Sequence, residues 1–414
     1  MQKQNKFYGW WIVLGTLITF GLSTGIPYYN ISFFYDYIQR DYNWSRESIT
    51  FGFPLAALLT IWIGPIVIHR FSPRKLIIAG TALTLIAFYG FGNMPAELWV
   101  YYGLWVVYTT GYFLSGPPPH QIIVSQWFRR NRGKAMGIVY VGVGIVGAIG
   151  SRWLTPMLTK AYGYKPALMI LGGLMVLAWP VALFILKDRP SDIGQNPDGD
   201  AEPPKEAAVA SATFAELWGS GAFWLLLIGS LCSIGSIGAV NFHMKFVFLD
   251  AGFAKGAQAD EAWSLAQTLI LVSSIGGRLS IGYFSDKFSK KWIMFVTYFI
   301  VAATIPLLVS VRPGDSSTLY AFAILFGFGM GADYMMIPLM AADQFGVNSL
   351  ARAMAVILPV NTIAQTWFPY AVSHLRTGMG SYSGAMNVVL ALALLGAVAV
   401  AMLPRKPTFA QESK

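Results

Sequence analysis

The chain has 414 residues, of which 55% are hydrophobic and 12% charged, with a mean hydropathy of +0.54. That composition excludes an ordinary soluble domain and is typical of a polytopic membrane protein. A net charge of +10 would indicate nucleic-acid binding in a soluble protein, but here Lys and Arg lie in short loops beside apolar runs, where anionic lipid attracts them. We predict no nucleic-acid partner. The single cysteine, Cys232, excludes an intrachain disulfide.

Twelve apolar runs follow one another along the chain, each about 20 or more residues long and therefore able to cross the ~30 Å hydrocarbon core as a helix. The runs are 8–35, 47–68, 76–94, 98–125, 134–158, 165–186, 219–248, 262–284, 292–311, 317–342, 351–374 and 383–403. With both termini in the cytoplasm, nineteen Lys and Arg lie inside and seven outside, so the positive-inside rule selects this orientation. We predict a multi-pass, all-α membrane protein with twelve transmembrane helices.

One long connection, residues 187–213, divides the chain into two halves of six runs each, 1–186 and 214–414. It is rich in proline and acidic residues and is predicted to be a cytoplasmic linker. Three features of the first half return in the second at nearly one offset. These pairs, 217, 217 and 218 residues apart, are Ser72 with Ser289, Phe128 with Phe345 and Lys134 with Arg352. The repetition indicates an internal duplication and two pseudo-symmetric six-helix bundles.

Residues Gly282–Lys287, followed by Lys290 and Lys291, resemble the loop motif that major facilitator transporters carry between the second and third helices of a half. In that superfamily the aspartate of the motif, here Asp286, pairs with basic groups to hold a closed state. The resemblance implies a gating role for Asp286 and Lys287. The first half departs from the motif, because His69 and Pro65 stand where the aspartate and the glycine are expected.

A narrower resemblance is carried by residues Trp127–Gly137, an aromatic pair and a basic stretch that lead into a glycine-rich helix. Together with Phe7–Trp11 and the linker, this segment is similar to the monocarboxylate transporters and to bacterial oxalate–formate exchangers. The basic residues that would take part in gating are Arg129, Arg130, Arg132 and Lys134. The glycines are expected to let two helix backbones approach closely.

Arg278 is the strongest candidate for a substrate anchor. It falls well inside the eighth run, where an arginine costs about 2.5–3.5 kcal/mol and so usually faces a cavity or a counter-ion. A guanidinium matches a carboxylate in bidentate geometry. The resemblance also implies that this arginine binds substrate, but two partners of the animal proteins are replaced: Ser274 stands for an aspartate, and Tyr28 for a lysine.

Three other ionisable residues are proton-coupling candidates: Asp333, His120 and His243. Asp333 lies near the middle of the tenth run, where it is expected to pair with Arg278, to carry a proton, or to line a solvated cavity. His120 could titrate near neutral pH, with hydrogen-bonded packing as the alternative, and His243 is expected at the outer rim of the membrane. Lys245, near His243, is expected to extend its amine to water at the membrane rim, with attraction of the substrate as the alternative.

Polar side chains elsewhere in the runs could bind a substrate or tie helices together. The candidates for substrate contact are Tyr28, Tyr29, Asn30, Tyr140, Ser274, Tyr334, Asn361 and Gln365. Asn361 and Gln365 are four residues apart and therefore share a helix face.

We predict a secondary transporter of a small organic monocarboxylate such as lactate or pyruvate, working by alternating access with proton symport. An oxalate–formate type exchanger, or a carrier of another small organic anion, is the alternative. The partners are the anion, protons and the lipid bilayer of a bacterial inner membrane, and a monomer suffices. We predict no cofactor, no metal site and no enzymatic activity, because the sequence lacks clustered metal ligands and a nucleophile–base pair.

Overall fold

The computed structural model describes residues 7–60, 71–200, 212–285, 287–346 and 349–404, and these residues form helices without any β-strand. The helices are α1 (Gly9–Tyr42), α2 (Arg46–Thr60), α3 (Pro73–Asn93), α4 (Leu98–Ser115), α5 (Pro117–Trp127), α6 (Arg132–Tyr162), α7 (Tyr164–Ile185), α8 (Phe214–Gly219), α9 (Gly221–Asp250), α10 (Ala257–Phe284), α11 (Lys290–Ser310), α12 (Ser316–Phe345), α13 (Leu350–Met379) and α14 (Tyr382–Ala401). The all-helical prediction is confirmed.

Nine of these helices are long and apolar enough to cross a membrane within the part of the chain that the structure describes: α1, α3, α6, α7, α9, α10, α11, α12 and α14. The other three predicted runs correspond to α2, to α4 with α5, and to α13. Gly116 separates α4 from α5, since three consecutive prolines from Pro117 begin a new helix there. Pro359 and Pro369 lie inside α13.

The chain forms two compact units, each taken here for its described residues. Unit 1 comprises Met1–Tyr37 and Leu55–Glu206, and unit 2 comprises Ile38–Pro54 and Ala207–Lys414. The segment Ile38–Pro54, which ends α1 and begins α2, thus packs with unit 2. The six-helix bundles predicted for 1–186 and 214–414 stay a prediction.

In unit 1, α1 and α6 approach each other backbone to backbone. A β-carbon at Gly142 would lie 2.3 Å from the carbonyl oxygen of Leu17, and one at Gly25 would lie 2.8 Å from the amide nitrogen of Gly147. Side chains cannot be accommodated at such distances, so glycine is required on both helices. The close approach predicted for the glycine-rich fifth run, which is α6 in the structure, is therefore present.

In unit 2, α10 and α12 also approach each other closely at glycine residues. A β-carbon at Gly331 would lie 2.1 Å from the carbonyl oxygen of Ser274, and one at Gly277 would lie 2.2 Å from that of Phe328. Backbone atoms cannot move aside as a flexible side chain can, so the two helices have a fixed register. This contact fixes the position of Arg278, which follows Gly277 directly, relative to the middle of α12.

Candidate functional site

Arg278 lies inside unit 2 on α10, where only 3% of its surface is exposed. Its position agrees with the prediction of an arginine in a membrane-spanning helix. Ser274, one turn earlier, does not present a free hydroxyl, because its Oγ donates to the carbonyl of Leu271 at 2.6 Å. Ser274 also contacts Gly331 through its backbone. Its structural role is therefore in the packing of α10 against α12.

Three of the predicted polar contacts lie on α12 and α13. Gln365 donates from Nε2 to the hydroxyl of Tyr334, which joins the two helices. Asn361, on the same face of α13, accepts at Oδ1 from Ser230 on α9 at 3.0 Å. The Nδ2 atom of Asn361 is buried without a hydrogen-bond partner among the described residues. The NH2 group of this amide could therefore donate a hydrogen bond to a substrate oxygen inside unit 2.

Asp333 is fully buried on α12, and its Oδ2 accepts from Ser233 of α9 at 2.6 Å. Its Oδ1 has no hydrogen-bond partner among the described residues, and neither has the buried hydroxyl of Tyr298, which lies beside it on α11. Leaving such a group unsatisfied costs about 1–3 kcal/mol. Among the described residues Asp333 makes no ion pair with Arg278, so the pairing that the sequence left open is absent. The reason is geometric: Asp333 faces α9 and α11, and not α10.

Both candidate histidines are fully buried and use both ring nitrogens. His243 donates from Nε2 to the carbonyl of Pro369 at 2.6 Å and accepts at Nδ1 from Tyr382 at 2.9 Å. His120 donates from Nδ1 to the carbonyl of Gly116 at 2.7 Å, and its Nε2 meets Thr19 Oγ1 at 3.0 Å. These contacts fix the two rings and hold helices together, which for His120 agrees with the packing alternative.

The candidate tyrosines of the first half lie in a cluster inside unit 1. Tyr28 stacks on Tyr112 with ring centroids 5.4 Å apart and meets Tyr29 edge-on at 5.0 Å. The Tyr140 hydroxyl accepts from Gln121 Nε2 at 2.6 Å. Sequence reasoning missed Tyr112 and Gln121. The signal for Tyr112 was present, since aromatic residues recur along α4 at helical spacing and so share one face.

Asn30 is a tie between helices of unit 1. Its Nδ2 donates to the carbonyls of Gly25 and Ile26 at 3.2 and 2.9 Å, and its Oδ1 accepts from Thr155 at 3.0 Å. Both amide hydrogens and one acceptor position are thereby occupied. Asn30 therefore joins α1 to α6, and its amide donors are not available to a ligand.

The amine of Lys245 does not reach water as expected but pairs with a carboxylate inside unit 2. The side chain is only 3% exposed, and its Nζ lies 2.8 Å from Asp260 Oδ1 at the start of α10. An amine that extends to the membrane rim would keep its charged end hydrated. Here a carboxylate from the next helix compensates the charge instead, and the pair joins α9 to α10.

The predicted gating residues belong to two segments: the one that follows α10, and the loop before α6 together with the first turn of that helix. Asp286 lies outside the described residues, as do His69 and Pro65 of the first half. Lys287 is exposed, and its amine bonds the hydroxyl of Tyr283 and lies 4.1 Å from the centroid of that ring. These contacts are local to the loop after α10.

The other loop, before α6, is held by the linker. Arg129 and Arg130 donate their backbone N–H groups to Asp198 Oδ2, both at 2.8 Å, and the Arg130 side chain pairs with Asp200. Arg132 donates to the Phe128 carbonyl at 3.4 Å, and the Lys134 amine lies 5.7 Å from the centroid of the Trp10 ring. Sequence reasoning did not foresee that the linker would bind this loop.

The backbone N–H groups that donate to Asp198 also determine its pKa. Partial burial raises the pKa of Asp198, but hydrogen bonds from the backbone of Arg130, Arg129 and Asn131 outweigh it and hold the pKa below its ordinary value. Asp188, at the other end of the structured linker, accepts from Ser72 and from the backbone of Arg74 at the start of α3. The linker up to Asp200 is thus bound to unit 1.

Comparisons with known proteins agree with this architecture. The chain is 27% identical to the Fujikurins efflux protein of Gibberella fujikuroi over 94% of its length and 82% of that protein. It is 25% identical to Monocarboxylate transporter 12 of Rattus norvegicus, over 91% and 82% respectively. The crystal structure of a bacterial homolog of the human lysosomal transporter Spinster, inward-facing and unoccupied, matches with a TM-score of 0.70 at 14% identity, covering 96% of both chains.

The similarity to a monocarboxylate transporter confirms the predicted resemblance, and the structural match confirms the predicted twelve-helix fold. The family model of the Major Facilitator Superfamily matches residues 13–369, which is most of the chain. The chain belongs to the Major Facilitator Superfamily, and it is a membrane-spanning transporter.

Proposed function

We propose that this transporter carries a small organic monocarboxylate, lactate- or pyruvate-like, together with a proton by alternating access. It would work as a monomer in a bacterial inner membrane with both termini in the cytoplasm. The alternative is an organic-anion carrier without proton coupling, either an exchanger of the oxalate–formate type or an exporter.

The observation that carries the proposal is the burial of Arg278 in α10. A guanidinium inside a membrane-spanning helix is costly and remains charged. A carboxylate ligand could bind that guanidinium through two parallel hydrogen bonds. Since Arg278 is the one arginine of α10, in the last third of that helix, it suits an anion with one carboxylate better than one with two.

Two further polar groups in the interior of unit 2 support a ligand with an additional oxygen atom. Asn361 has a buried amide donor without a partner, and the hydroxyl of Tyr334 is joined to Gln365. Such groups would favour a 2-hydroxy or 2-oxo acid over a plain fatty acid. The additional oxygen of such a ligand would accept a hydrogen bond from a buried donor that otherwise has no acceptor. The similarity to Monocarboxylate transporter 12 supports the same substrate class by its name. The similarity to the Fujikurins efflux protein supports the exporter alternative.

The test is uptake of labelled L-lactate into proteoliposomes, with and without an inward proton gradient. Wild type is compared with Arg278→Lys, which keeps the charge but loses the planar fork, and with the matched control Arg312→Lys. Arg312 lies beyond the end of α11 and donates to the carbonyls of Val309 and Val311. We expect gradient-driven accumulation in wild type and in the control, and at least a tenfold loss in Arg278→Lys.

Three results would overturn parts of the proposal. Equal uptake by Arg278→Lys would remove Arg278 as the anchor. Uptake that ignores the proton gradient but accelerates with trapped internal anion would favour the exchanger. Absence of lactate uptake by correctly folded wild-type protein would remove the monocarboxylate assignment altogether.

A further inference from the structure

The interior of unit 2 contains a second polar site that is distinct from Arg278. It consists of Asp333 on α12, Ser233 and Cys232 on α9, and Tyr298 on α11. All four side chains are buried. The carboxyl of Asp333 is the acidic group of this cluster, and no arginine, lysine or histidine of the described residues pairs with it.

We propose that Asp333, Ser233 and Tyr298 form a proton-binding site, and that the proton is carried there while the substrate anion is held at Arg278. The inference rests on the proposed function for its coupling to substrate. One proton from solution binds Asp333 Oδ1, which turns the carboxylate into a neutral carboxylic acid. The same proton returns to water on the other side of the membrane.

The hydrogen-bond geometry allows Asp333 to exist in both states. Ser233 donates to Oδ2 whether or not the other oxygen carries a proton. The Tyr298 hydroxyl lies beside the Asp333 carboxyl, and both this hydroxyl and Oδ1 are buried without a hydrogen-bond partner among the described residues. A hydroxyl both donates and accepts, so it can donate to ionised Oδ1 and accept from protonated Oδ1 by rotating about its C–O bond.

The charge of this cluster changes only when Asp333 gains or loses a proton, because no cationic side chain of the described residues pairs with it. The other ionisable groups that face Asp333 are the Tyr298 hydroxyl on α11 and, beside that hydroxyl, the Cys232 thiol on α9. Arg278 on α10 makes no ion pair with the carboxylate among the described residues. A buried carboxylate without a cationic partner is costly, and binding a proton removes that cost.

A mechanical connection joins this site to the substrate anchor. Gly331, two residues before Asp333, contacts the backbone of Ser274, which lies one turn before Arg278. Because this contact is between backbones, movement of α12 upon protonation would move α10. Tyr334, the residue after Asp333, would move with it and carry Gln365 along.

The experiment uses purified full-length protein and compares Asp333→Asn, Tyr298→Phe and the control Ser236→Ala with wild type. Ser236 is buried on α9 one turn from Ser233, but its hydroxyl donates to the Cys232 carbonyl at 2.7 Å and not to Asp333. The first measurement is infrared difference spectroscopy across a pH titration. We expect the carbonyl band of a protonated carboxylic acid in wild type and control, its loss in Asp333→Asn, and a displaced titration in Tyr298→Phe.

The second measurement is transport in proteoliposomes. In Asp333→Asn we expect proton-driven lactate accumulation to fall at least tenfold while lactate counterflow falls less than threefold. A band that persists in Asp333→Asn, or a titration that Tyr298→Phe leaves in place, would overturn the proton site. Undiminished accumulation by Asp333→Asn would overturn its role in coupling. If wild type does not move lactate, the substrate proposal fails, while the infrared measurement still decides on the proton site.

Discussion

Asp198 accepts the backbone N–H of Arg130 at 2.8 Å and so binds the linker to the loop that begins α6. The arrangement is a carboxylate facing consecutive backbone donors at a helix start, which is a favourable position for negative charge. The loop is the one whose basic residues resemble the signature of the monocarboxylate transporters. The linker thus occupies the anion-binding position of that loop with a side chain of its own.

We expect Asp198→Asn to weaken the attachment of the linker, because the amide cannot accept as strongly from two N–H groups. Loss of a charge-assisted hydrogen bond costs about 1–3 kcal/mol, and the exposure of this site places the effect at the lower end. The measurement is the thermal unfolding of purified protein in detergent. Asp200→Asn is the control, since its ion pair with Arg130 is exposed and contributes little. A larger loss in the control would contradict the prediction.

The same contact predicts a pH dependence. Because the folded protein holds the pKa of Asp198 below its ordinary value of about 3.9, the contribution of Asp198 is complete above that pH and is lost as the pH falls through the lowered pKa. The melting temperatures of wild type and Asp198→Asn should differ by a constant amount between about pH 5 and 8 and converge under more acidic conditions. A difference that grows on acidification would have the wrong sign.

Gly277 and Gly276 provide a matched pair on α10. A β-carbon at Gly277 would lie 2.2 Å from the Phe328 carbonyl oxygen, whereas one at Gly276 would meet nothing within 4 Å. We expect Gly277→Ala to destabilise the protein and to reduce lactate transport, since α10 must move away from α12 and take Arg278 with it. Gly276→Ala should be neutral or stabilising by up to about 1 kcal/mol through helix propensity. Folded yield and unfolding temperature measure both, and equal effects would refute the backbone contact.

The Lys245–Asp260 pair predicts a non-additive double mutant. Removal of one partner from a buried ion pair leaves an uncompensated charge and costs about 3–5 kcal/mol, whereas removal of both costs less. We expect Lys245→Met to be strongly destabilising and Lys245→Met with Asp260→Asn to recover part of the loss. A double-mutant cycle of unfolding free energies tests the coupling. Additive losses would place the two charges in independent surroundings.

The sequence was sufficient for elements that depend on local pattern. Apolar runs predicted the helices because the length needed to cross a bilayer is fixed, and the burial of Arg278 followed from its place within a run. The glycines of α6 predicted that its backbone would approach another helix closely, but not that this helix would be α1.

Contacts between distant helices were the part that sequence could not supply. Nothing in the pattern indicates that Lys245 would meet Asp260, or that Asp333 would face Ser233 and not Arg278. The rotation of each helix about its own axis decides these pairings. These helices carry apolar residues on most of their faces, so the sequence shows no single hydrophobic stripe from which the rotation could be predicted.

Cys232 gives the native chain a built-in reporter. It is the one cysteine in the sequence, it is 3% exposed, and it lies beside Tyr298 in the interior of unit 2. A thiol reagent added to the folded protein can react only when that interior opens, so the rate of modification measures the opening of the helices without any engineered label. The same rate, taken with and without substrate, records how tightly the ligand holds the interior of the bundle closed.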